Sequence, residues 1–451
     1  MPVETRIPRP QRRSSRAPTL GTLVAAAVLS LASRPAGAQS LLDVYEAAHN
    51  YDATYLAARA LADSAIYRVE QTRALNRPSA SLSATGARLG QNPTAGSNFG
   101  SNTLSASLNG RQPLYNRSND ATIAQAERTL DSSMADLDLA EQDLMLRVSQ
   151  AYFDVLGAQD TLQTTRANKT AIAEQLASAK RNFEVGTATI TDTREAQARF
   201  DLATAQEIAA QNDLITKRIA LDQLVGRSNV EPRQLAVPVA VPSTANIPVD
   251  ELVGRAADEH PAVRRAQVAY DVARLETEKA RAQALPTVDA VASLQGGRGT
   301  IAAEVSGLNS AASVGVQINM PLYTGGAVQN RVRETIVLEE RSRNDLEFAR
   351  RTVTQTTRQA YATVQSSAAQ VKALEAAEAS SQLALEATQL GYRVGIRVNV
   401  DVLNAQSQLY QTKRDLSRAR YDLLLATLRL RQASGRLVPS DVLAIDRLLV
   451  K

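Results

Sequence analysis

The 451-residue chain contains no cysteine. That excludes disulfides, thiolate nucleophiles, cysteine metal sites and a lipidated N-terminal cysteine. It has two histidines, His49 and His260, without ligand partners at metal spacing, so neither a metal nor a cofactor is expected. Tryptophan is absent and phenylalanine occurs only five times. Proline is missing from residues 114–231 and 322–438. Since proline breaks helix interiors, these are the long helical stretches, and they are rich in Ala, Leu, Gln, Glu and Arg. No apolar run is long enough to span a bilayer as a helix. The longest, within 20–32, follows Arg12, Arg13 and Arg16 and precedes Ala36-Gly37-Ala38. That pattern predicts a signal peptide over 1–38, cut before Gln39.

Excess charge is also lacking once this leader is set aside. It carries six Arg and one Glu, which accounts for the whole formal charge of +5. The remainder has 45 basic and 45 acidic residues, from totals of 51 and 46. No electrostatic basis for nucleic-acid binding remains. No nucleophile–base pair or carboxylate dyad is recognisable, so the chain does not read as an enzyme. Gly296-Gly297-Arg298-Gly299 lacks the Lys-Ser/Thr and helix of a phosphate loop and reads as a loop between strands.

What is present is a sentence written twice. Residues 182–200 read NFEVGTATITDTREAQARF, and 389–410 read QLGYRVGIRVNVDVLNAQSQLY. At an offset of 209, Val185-Gly186 matches Val394-Gly395, Asp192 matches Asp401, and Ala196-Gln197 matches Ala405-Gln406. Pro113-Leu114-Tyr115 matches Pro321-Leu322-Tyr323 at 208. A near-constant offset over this distance marks a tandem duplication. The units are 39–226 and 250–436, with a Pro-rich linker at 227–249 and a tail at 437–451.

Within each unit the periodicity predicts a helix (41–76; 250–284), two strands (79–89 and 102–112; 287–295 and 311–320) and a long helical hairpin turning at Gly186 or Gly395. The hairpins run 118–183 with 192–225, and 327–394 with 396–434. Leu130, Met134, Leu137, Leu144 and Val148 follow the steps of a coiled-coil seam. Asp192 and Asp401 each open a helix as N-caps, which is compatible with a further role at a pore. The glycines suit helix-terminating turns. Strands of about ten residues with one apolar face match outer-membrane barrel strands. Four strands cannot close, and an open edge is not tolerated in lipid, so such a chain must oligomerise.

On these residues (the duplication, the two Pro-Leu-Tyr closures, 185–192 and 391–410) the sequence resembles the TolC-type outer-membrane channel family. The resemblance implies a homotrimer with a 12-stranded outer-membrane β-barrel on a periplasmic α-helical tunnel. It implies export, by drug efflux or type I protein secretion, through a periplasmic adaptor and an inner-membrane pump of ABC, RND or MFS type. It further implies a periplasmic gate in which Tyr392 and Arg397 bond toward Thr191 and Asp192. Asp401 would line the pore constriction, where the family's second acidic position is Asn404 here. Adaptor contact falls on Gly186, Thr187, Gly395 and Ile396. The competing expectation is a pore-free periplasmic coiled-coil adaptor or scaffold. Two equivalent hairpins and amphipathic strand pairs speak against it.

Overall fold

The computed structural model describes residues 38–91, 99–236, 248–301 and 304–450. The expected leader therefore lies outside the described residues apart from Ala38, as does the middle of the Pro-rich linker, 237–247. The first half runs α1 (Leu41–His49), α2 (Ala53–Arg73), β1 (Ser79–Gln91), β2 (Phe99–Tyr115), α3 (Arg117–Glu184) and α4 (Ile190–Val225). The second half repeats the series. It runs α5 (Val249–Glu259), α6 (Pro261–Ala282), β3 (Thr287–Ile301), β4 (Glu304–Asn319), α7 (Ala327–Arg393) and α8 (Asn399–Ala433). A short α9 (Pro439–Asp446) ends it.

α3 has 68 residues, which at about 1.5 Å per residue makes it roughly 100 Å long. Its start is fixed by Asn116, whose side chain accepts from the amides of Ser118 and Asn119 at 3.1 and 3.2 Å. α4 returns along the far half of α3, and α2 covers the near half. The expected single helices at 41–76 and 250–284 are each broken in two. At the first break Asp52 caps α2, accepting from the Tyr55 amide at 2.8 Å, and takes a two-pronged contact from Arg147 at 3.0 and 3.1 Å. That guanidinium holds the Asp52 carboxyl below its ordinary range. At the second break His260 caps α6 and Pro261 supplies its first residue, where the missing N–H costs nothing. Pro261 was visible in the sequence as a helix start, yet a continuous 250–284 helix overlooks it.

Both breaks sit against the end of a returning helix. Gly226, at φ +68°, closes α4 so tightly on Tyr51 that a Cβ would lie 2.5 Å from the ring. Gly435, at φ +70°, presses on His260 in the same way, its Cβ position 2.9 Å from His260 Cα. No other residue fits these left-handed, crowded positions without a shift in the neighbour.

This mid-rod region holds the main core. Leu41, Val44, Tyr152, Phe153, Leu156, Leu221, Leu424 and Leu428 are fully buried there. The expected tail is part of it: α9 packs on α1, and Asp446 Oδ1 accepts from the Leu41 amide at 2.8 Å. Tyr152 Oη meets Gln39 O at 3.0 Å and accepts from the Arg233 amide at 2.7 Å, fastening the described linker residues to α3. Nearby, Tyr421 of α8 donates to Asp160 of α3 at 2.7 Å, and burial pushes the Asp160 carboxyl upward.

The strands form one antiparallel sheet in the order β1-β2-β3-β4, so β2 and β3 join the two halves. They run to 13, 17, 15 and 16 residues, longer than expected, because pairing continues into the polar segments read as loops. Gly296 to Gly299 lie inside β3, not in a loop. The register shifts between Gly297 and Gly299, and a Cβ on Gly297 would come within 3.3 Å of the Leu104 carbonyl. The glycines admit a bulge there.

Candidate functional site: the sheet and the helical tips

The sheet has two unlike faces. On one, Ser83 meets Ser107 and Ser293 meets Ser313, each at 2.7 Å between hydroxyls. Arg111 donates to the buried Asp289 at 2.8 Å on the same face. On the other, Leu82, Leu104, Leu108, Leu294, Val316 and Ile318 are all open, and Val314 is 88% exposed. Among the described residues nothing covers this apolar face, and both edge strands, β1 and β4, lack a second neighbour. An apolar surface of this extent, rimmed by polar groups, needs a non-aqueous environment. Among the described residues no helix is long and apolar enough to cross a membrane. Tyr115 and Tyr323, the aromatic residues of the two Pro-Leu-Tyr closures, are both exposed.

At the other end of the rod lie the two turns. Gly186 and Gly395 both stand at φ +78° with open space around them. The backbone bonding is the same in each: Gly186 N to Phe183 O and Thr187 N to Asn182 O, then Gly395 N to Tyr392 O and Ile396 N to Gly391 O, at 2.8–3.1 Å. Apolar side chains crown both turns. Val185, Val394, Val398 and Ile396 are more than half exposed, Ile396 at 80%.

The helices after the turns begin differently from the sequence reading. Asp192 and Asp401 are not the caps but the third residues of α4 and α8, which start at Ile190 and Asn399. Thr189 is the cap of α4. Its hydroxyl accepts from the Asp192 amide at 3.2 Å, and the Asp192 carboxylate accepts from the Thr189 amide at 3.0 Å, a reciprocal capping box. The Thr-x-x-Asp spacing that encodes it was on view in the sequence. α8 has Val398 at that position, with no side-chain cap.

Within the chain, the residues expected at the gate bond as follows. Arg397 pairs with Asp401 on its own turn at 3.6 Å, and its stem lies over Gly391, where a Cβ would clash at 2.8 Å. Tyr392 Oη accepts from Asn182 of α3 at 3.4 Å. Thr191 is exposed on the first turn of α4, and Asp192 is engaged in the box. Asn404 accepts from Arg199 of α4 at 2.9 Å. Two further residues, unremarked in the sequence, join here: Gln175 of α3 donates to Asn399 Oδ1. Among the described residues no cluster of acidic and histidine side chains could hold a metal. His49 sits between the rings of Tyr45 and Tyr55, and burial lowers the His260 pKa.

A family model described as "Outer membrane efflux protein" matches residues 44–227 and 252–436. The chain belongs to this family. It is 33% identical over 427 residues to the outer membrane protein TolC of Vibrio cholerae serotype O1, covering 94% of this chain and 97% of that one. It is 35% identical over 305 residues to the alkaline protease secretion protein AprF of Pseudomonas aeruginosa, covering 67% and 63% respectively. Among solved structures it superposes on the outer membrane protein VceC from Vibrio cholerae with a TM-score of 0.74. That match has 19% identity over 88% of this chain and 96% of that one, and bears on the fold alone. The protein is thus a non-enzymatic outer-membrane export channel of the TolC type. Its sheet contributes to a β-barrel in the outer membrane of a Gram-negative cell, and its helices contribute to a periplasmic tunnel. The family's channels are trimeric and work with adaptor and inner-membrane transporters.

Proposed function

We propose that three copies close a twelve-stranded barrel, four strands each, over a helical tunnel gated at its periplasmic tips. Substrate would pass down the lumen under drive from an inner-membrane pump of ABC, RND or MFS type, received through a periplasmic adaptor. The observation that carries this reading is the four-stranded sheet with an uncovered apolar face and two open edges. In lipid every edge must be paired, and further copies of the same sheet supply the pairing. Relatives named for efflux and for protease secretion both fall within range, so the cargo class follows from the pump.

The gate reading rests on the second tip. Arg397 is 61% exposed at its side chain and held only by a long ion pair, so it is free to reach Thr191 and Asp192 of the next copy. Together with Tyr392 it would hold α7 and α8 inward. Asp401 and Asn404, one turn apart on α8, would line the constriction. Asn404 is neutral and accepts from Arg199, so the ring carries one acidic residue per copy, Asp401, and a correspondingly weaker cation preference. The exposed turns at Gly186-Thr187 and Gly395-Ile396, crowned by valines and an isoleucine, would receive the adaptor.

The test is single-channel conductance of the purified protein in a planar bilayer beside a Tyr392→Phe/Arg397→Ser variant. Small steps in the parent and much larger ones in the variant are expected. Equal steps would discard this gate while keeping the pore. Well-folded oligomer that neither inserts nor conducts would favour the pore-free scaffold.

A further inference from the structure

The four strands carry five charged residues. Arg111 and Asp289 pair on the hydroxyl-lined face. Glu304 stands opposite Ile301, which alternation along β3 assigns to that same face. Arg88 and Arg298 fall on the other side. Directly opposed residues share a face, so Arg88 goes with Leu82 along β1, and Arg298, opposite Leu104, goes with Leu294 along β3. Both arginines are exposed. No acidic residue of the strands shares their face, so their charge is unmatched there.

Their height on the sheet is specific. The apolar face begins beside the helices at Ile318, opposite Val288, and ends at Leu104, opposite Arg298. From 288 to 298 on β3 is about 34 Å along the strand. At a strand tilt of about 40° this becomes roughly 25 Å of height, the thickness of an outer-membrane apolar band. Arg298 closes the band, and Arg88, opposite Asn102, stands one rung further from the helices. The helices are periplasmic, so both arginines lie at the outer-leaflet edge.

An arginine on a lipid face is costly at mid-membrane and nearly free at the interface. That permits a charge here but gives no reason for two neighbouring charges of one sign. β2 separates the two strands. At about 4.8 Å per strand and 3.4 Å per residue, the Cα atoms of Arg88 and Arg298 are roughly 12 Å apart. Side chains leaning toward one another across β2 can close on one phosphate, or each take one phosphate of a headgroup that carries two. The planar guanidinium fork suits such oxygens better than an ammonium does.

We propose that Arg88 and Arg298, with the exposed Asn102 between them, form a site on the outward barrel surface for a phosphorylated lipid headgroup of the outer leaflet. The acyl chains lie along the apolar band toward Leu104 and Leu82. The membrane then supplies the counter-charge that the chain omits, and the contact fixes the depth at which the barrel sits. The proposal rests on the barrel reading above and involves neither the tips nor the lumen.

The test uses the purified full-length oligomer in detergent, titrated with bisphosphorylated lipid A, with the same lipid stripped of its phosphates, and with inorganic phosphate. Native mass spectrometry reads the lipid retained per oligomer, and the thermal midpoint is followed in parallel. The parent should retain the bisphosphorylated lipid and melt higher with it, and should respond little to the other two. Arg88→Gln/Arg298→Gln should weaken this binding at least about tenfold, through loss of the charge-assisted contacts. Arg88→Lys/Arg298→Lys keeps the charge without the fork and should recover only part of it. Equal retention of both lipids by the parent, or parent-like binding in the glutamine variant, would overturn the headgroup site and leave the barrel standing. An equal shift with inorganic phosphate would overturn a lipid as the ligand. Should a variant fail to assemble, the parent's preference between the two lipids decides alone. A parent that forms no oligomer and retains neither lipid would overturn the barrel reading as well.

Discussion

The two tips share a backbone and differ in what holds them. Both turn at a glycine of φ +78°, with matching hydrogen bonds 209 residues apart. The first tip is self-sufficient: its helix start is capped by Thr189 and Asp192, two residues of one turn that need no neighbour. The second has a valine in place of the cap and borrows its fastening from Arg397 on its own turn and from Gln175, Asn182 and Arg199 on the other coil. Duplication supplied two equal levers. In the proposed gate, substitution at a handful of positions makes one the frame and the other the moving part.

The largest effect expected from breaking this contrast is in the second tip, where Tyr392→Phe with Arg397→Ser should raise single-channel conductance several-fold. The same measurement on Thr189→Ala should show no such rise. That substitution instead removes the first tip's cap and should destabilise the start of α4 locally by about 1 kcal/mol, read as faster amide exchange over 190–194. The converse change makes the tips alike. Val398→Thr places Thr-x-x-Asp at 398–401 and should slow exchange over 399–403, stabilising that turn by up to about 1 kcal/mol. It should also draw Asp401 away from Arg397, seen as a greater sensitivity of closure to salt. The smallest effect lies mid-rod, where the contact between coils is titratable. Asp160 has its pKa raised by burial. The stability that its neutral form contributes is complete below the unfolded value near 3.8 and is lost as pH rises through the higher folded value. Asp160→Asn keeps an acceptor for Tyr421 and should flatten the thermal midpoint of the oligomer against pH, with a small gain at neutral pH.

Much of this architecture could be read from residue order. The distribution of proline marked the long helices, the offset of 209 marked the turns, and alternation marked the strands. Three things were missed for different physical reasons. The helix breaks at Tyr51-Asp52 and His260-Pro261 fall within otherwise helical patterns. They exist because a returning helix ends there, a tertiary fact, although Pro261 was a local clue. The strands outran their apolar segments because backbone pairing continues wherever glycine, serine and asparagine do not oppose it. The bond from Gln175 to Asn399 spans 224 residues and depends on how two coils are rotated about their axes, which no local pattern encodes. Setting the two tips side by side does expose Asn399, since a buried asparagine aligns with Ile190.

The paired breaks have a mechanical meaning. Each half of the rod is built from one unbroken member, α3 or α7, and one spliced member, whose two pieces meet where Gly226 abuts Tyr51 or Gly435 abuts His260. A beam of this kind is stiff in length, because the continuous member carries tension and compression along it. It is compliant in torsion, because the splice can turn without lengthening either piece. The membrane end and the periplasmic end of the tunnel can then adopt different degrees of winding about the common axis. In the proposed gate the tips would unwind for passage while the barrel stays still in its lipid.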